Sequence, residues 1–107
     1  MNEHPLQIMV DGDTAMMIQH FTDAGVAIDF DRLFSLMAEN SGEIEDYIQS
    51  VETNEPRMLL PVTDSGMKRL IIEETNKLSV SPEQYLKGAV AILYGDNIMI
   101  ADSKAIH

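Results

Sequence analysis

Apolar residues along this chain alternate in two short stretches and recur at helical spacing in five others. Leu6, Ile8 and Val10 alternate with Gln7 and Met9, which predicts a short strand, and Asp11-Gly12-Asp13 reads as the turn that closes it. Met17, Ile18 and Phe21 then fall on one helical face, with Asp13 placed as N-cap and Gly25 as the stop of a helix over 14–24. Asp29 caps a second helix whose stripe is Phe30, Leu33, Phe34 and Met37, ending near Asn40-Ser41-Gly42. Ile44, Tyr47, Ile48 and Val51 repeat that spacing in a third.

Thr53-Asn54-Glu55-Pro56 is polar and ends in proline, so it reads as a connection. After it Met58, Leu60 and Val62 alternate with Arg57, Leu59 and Pro61. Pro61 has no amide to donate, which puts this strand at an edge or in a two-stranded pairing. Thr63 and Asp64 can cap a helix to about Leu78 that faces inward through Met67, Leu70, Ile71 and Leu78, although Glu74 lies near the same stripe. Ser81-Pro82-Glu83-Gln84 combines a serine N-cap, proline at the first helical position and glutamine three residues on. The helix it starts would bury Tyr85, Leu86, Ala89, Val90 and Leu93 and stop at Gly95. Ala89 to Leu93 is apolar all round and also fits a buried strand; the capping box favours helix. Ile98, Met99 and Ile100 read as a last short strand before a fraying end from Ser103 to His107. The pattern predicts a mostly helical α+β fold: five short helices, two or three short strands and a C-terminal strand-helix-helix module.

At 107 residues the chain is expected to form one compact domain. Its hydrophobic and charged fractions, 45% and 23%, are those of a chain that folds. No apolar run approaches the roughly 20 residues of a membrane span, and residues 1–20 lack the basic start and apolar block of a secretory signal. The absence of cysteine excludes disulfides, thiolate zinc sites and cysteine nucleophiles. A soluble, cytoplasmic protein without membrane partners is the expectation.

Charge divides the chain more sharply than hydropathy does. Residues 1–55 hold twelve carboxylates against the single cation Arg32, which accounts for the whole net charge of −11, whereas residues 56–107 hold six charges of each sign. The boundary at Pro56 separates an acidic helical region, 1–55, from the strand-helix-helix module, 56–107.

Few residues have the makings of a reactive or metal-binding site. Asp11 and Asp13 flank a glycine, an arrangement that more often serves turns and caps than cations. His20 and Asp23 share a helix face but lack a third partner in the sequence. The methionines, Met16, Met17, Met37, Met58 and Met67 among them, fit a core better than a soft partner surface. Neither a cofactor nor a metal is expected.

The order of Arg57–Val62, the helix over 64–78, the Leu78-Ser79-Val80-Ser81 turn and the capped second helix resembles the ribbon-helix-helix family of small dimeric regulators. The resemblance spans residues 57–94. It implies that two chains pair their strands into a ribbon entering the DNA major groove, with the second helices building the dimer core. Arg57, Leu59 and Pro61 would face the bases, and of these only Arg57 can read a base edge. The module is neutral and its attached arm acidic, the reverse of what counterion release on DNA requires. Separately, Ile8-Met9-Val10-Asp11-Gly12-Asp13-Thr14 is similar to the first strand and turn of NYN-type nucleases. That resemblance implies divalent-metal hydrolysis with Asp11 and Asp96 as the acids.

These features converge on a non-enzymatic, acidic regulatory or interaction protein. It would dimerise through Met58, Leu60, Val62, Tyr85, Leu86, Ala89, Val90 and Leu93. It would engage a basic protein surface, including one that otherwise binds nucleic acid, through Asp29, Asp31, Glu39, Glu43, Glu45, Asp46 and Glu52. The alternatives are a ribbon-helix-helix DNA-binding regulator or antitoxin using Arg57, Lys68 and Arg69, and an NYN-like metal-dependent nuclease.

Overall fold

The computed structural model describes residues 5–95, and within them the chain forms β1 (Leu6–Asp11), α1 (Gly12–Asp23), α2 (Phe30–Glu39), α3 (Ser41–Ser50), β2 (Pro56–Val62), α4 (Ser65–Leu78) and α5 (Pro82–Gly95). This is the mostly helical α+β architecture that the periodicity predicts. The expected strand at Ile98–Ile100, the frayed end and Asp96 lie outside the described residues.

Local signals set most boundaries. Asp29 and Asp64 each accept the amide three residues on, from Arg32 and Met67. Ser81 and Gln84 close the reciprocal capping box, Ser81 Oγ accepting from the Gln84 amide and Gln84 Oε1 from the Ser81 amide. Ala89–Leu93 is therefore helix. Gly25, at φ 81°, takes the left-handed conformation just past the end of α1.

One boundary differs from the pattern. Asp11, not Asp13, is the N-cap of α1, and no turn separates β1 from the helix. The Asp11 carboxylate reaches the Thr14 amide at 2.8 Å and the Thr14 hydroxyl at 2.7 Å, which draws Gly12 and Asp13 into the first helical turn.

β1 and β2 pair antiparallel, Ile8 opposite Leu60 and Met9 opposite Leu59, with the register shifting between Val10 and Asp11. The expected two-stranded pairing is thus made within the chain. Ile8 and Val10 point inward and are buried, while Met9 and Leu59 on the outer face are about half exposed. Against the inner face pack Leu33, Phe34 and Met37 of α2, Ile44 and Ile48 of α3, Ile71 and Leu78 of α4, and Tyr85, Leu86, Ala89 and Val90 of α5. Phe34 stacks on Tyr85 at 5.8 Å. Gly88 lets α5 approach α3 closely, because a Cβ there would stand 2.3 Å from Ile48 Cδ1.

This core draws on both sides of Pro56. The change in charge along the chain is not a boundary in packing: β1, from the acidic region, is covered by α5 and hydrogen-bonded to β2.

Candidate functional site

The densest polar cluster joins β1, α1, the α3–β2 connection and α5. Asp11 is buried, and its Oδ1 accepts from the amide and hydroxyl of Thr14. Its Oδ2 accepts from the Asn54 amide at 2.8 Å and from Lys87 Nζ at 2.9 Å. Lys87 also donates to the Glu52 carbonyl at 2.6 Å and approaches Asp13 Oδ2 at 3.4 Å, while the Asn54 side chain donates to Asp13. Burial alone would raise the Asp11 pKa. The donors from Asn54, Lys87 and Thr14 outweigh it and hold the carboxyl far below the usual carboxylate range. Burial pulls the Lys87 ammonium down, but Asp11 and Asp13 raise it on balance.

A carboxylate can accept about four hydrogen bonds, and Asp11 already accepts four within the chain. The cluster therefore ties three segments together through a satisfied ion pair, with a lysine where a cation would sit. No group of three or more metal-ligating side chains occurs among the described residues. His20 Nδ1 is hydrogen-bonded to the Tyr94 hydroxyl, and Asp23 accepts from Gln19, so this pair is divided between two separate contacts.

The sequence-predicted partner-binding acids are on the surface. Asp29, Asp31, Glu39, Glu43, Asp46 and Glu52 are exposed and Glu45 is half-buried. The ion pairs seen among the described residues lie elsewhere, joining Lys77 to Glu74 and Lys87 to Asp11 and Asp13. The seven acids do not form one patch. Asp29 and Asp31 sit at the start of α2, whereas Glu39, Glu43, Glu45 and Asp46 surround the α2–α3 corner, about 12 Å further along the helix. Glu52 stands apart, in the connection whose carbonyl binds Lys87.

The predicted dimer residues divide differently. Tyr85, Leu86, Ala89, Val90, Leu93 and Val62 are buried in the chain's own core, so these side chains are not available to a second copy in this structure. The apolar face of α5 was legible, but its covering is β1 and the other four helices of the same chain. Met58 is 49% exposed and Leu60 half-buried, since the helices cover β1 more fully than β2. Arg57 is exposed at the start of β2; Arg69, exposed, and Lys68, half-buried, lie in α4 beyond the other end of the strand. The structure does not gather the three.

Two features escaped the sequence. Asn54 and Lys87 give no periodic or motif signal, because their roles depend on contacts 43 and 76 positions away. The other is a cleft of about 140 Å³ between β2, the first turn of α2 and the start of α4. Phe30, Phe34, Leu60, Val62 and Met67 supply its apolar lining and Asp31 and Asp64 its charge.

In comparisons with known proteins, no family model, no curated protein and no solved structure matches this chain.

Proposed function

We propose that the chain is a non-enzymatic regulatory or interaction protein whose acidic N-terminal helices dock on a basic protein surface, one that otherwise takes a nucleic acid, with the protein acting as a dimer. The observation that carries this reading is the set of carboxylates along α2, α3 and the following connection, six exposed, none paired with a described cation. Uncompensated like charges destabilise a compact state and steer association with an opposite charge.

Asp11 weighs against the nuclease alternative, because its oxygens are already engaged by Thr14, Asn54 and Lys87. The separation of Arg57 from Lys68 and Arg69 weighs against the DNA-reading alternative. The test is binding of the intact protein to a lysine-rich peptide by titration calorimetry across a salt series. Affinity falling steeply between low and high salt supports docking through charge, whereas affinity independent of salt removes it. Light scattering over a range of concentrations tests the dimer, and a monomer throughout removes that part of the reading.

A further inference from the structure

We draw no further inference here: the strongest candidate, the half-exposed apolar patch of Met9 and Leu59 on the outer face of the β1–β2 hairpin, carries none, because nothing in the structure shows what covers it.

Discussion

Two groups of carboxylates in this small protein have opposite surroundings. Asp11 lies buried where three segments meet and accepts from Thr14, Asn54 and Lys87. The acids from Asp29 to Asp46 stand on helix surfaces without described cation partners. Identical chemistry holds the fold in the first case and faces outward in the second. The difference shows that in an acidic chain a site-like density of contacts can mark structure, while the exposed carboxylates are the ones on which the proposed docking rests.

The largest expected effect comes from breaking the buried group. Asp11→Ala leaves Lys87 without its nearest carboxylate and frees the Asn54 and Thr14 amides, so unfolding by urea should show a loss of about 3–5 kcal/mol. A loss under 1 kcal/mol would mean that the cluster contributes little. The pH dependence has a definite sign. Asp11 is held below its unfolded value near 3.8, so its stabilisation is present above that pH and is lost only as pH falls through the still lower folded value. Lys87 is raised above 10.5, so its share is complete below that pH and fades as the solution becomes more alkaline. Asp11→Asn should flatten the acid limb of a stability profile, and an unchanged limb would assign acid sensitivity to other groups.

Next in size is the contact that seats α5 on α3, the framework that holds Lys87 over Asp11. Gly88→Ala should cost about 1–3 kcal/mol, because the new methyl meets buried Ile48. Adding Ile48→Val removes the atom in the way. The pair should therefore cost less than the sum of the single changes in a double-mutant cycle. Simple additivity would place the strain elsewhere.

The surface group should behave in the opposite sense. Glu43→Gln and Asp46→Asn should shift unfolding midpoints by no more than about 0.5 kcal/mol while weakening attachment to a lysine-rich peptide. A large loss of stability would move these acids into the structural class.

A small effect of either sign is expected at Tyr85, whose hydroxyl is buried without a partner among the described residues near Glu74, itself carrying an oxygen with none there. Burial, and then the charge of Glu74, raise the phenol above its ordinary range, so it stays neutral in ordinary buffers. Tyr85→Phe removes a polar atom that makes no hydrogen bond among the described residues, and stability should change by under about 1 kcal/mol in either direction. A larger loss would reveal a bridging water between Tyr85 and Glu74.

The sequence by itself determined the elements and much of what ends them. Helical spacing in Phe30–Met37 and the Ser81–Gln84 box are set by neighbours three or four residues apart, and such short-range geometry is written in the order of residues. It also placed Asp31, Glu39, Glu43 and Asp46 on exposed faces, since polar positions between apolar stripes tend to face outward, whereas Glu45 is half-buried. The C-terminal strand-helix-helix stretch was legible as elements. The covering of its apolar face was not: Tyr85, Leu86 and Val90 look the same in sequence whether β1 of the same chain or a second copy lies against them. Only the tertiary structure decided that β2 pairs with β1, that Asp11 meets Lys87, and that β2 borders a cleft with α2 and α4. Each of these depends on contacts between residues far apart in the chain, whose partners no local periodicity encodes.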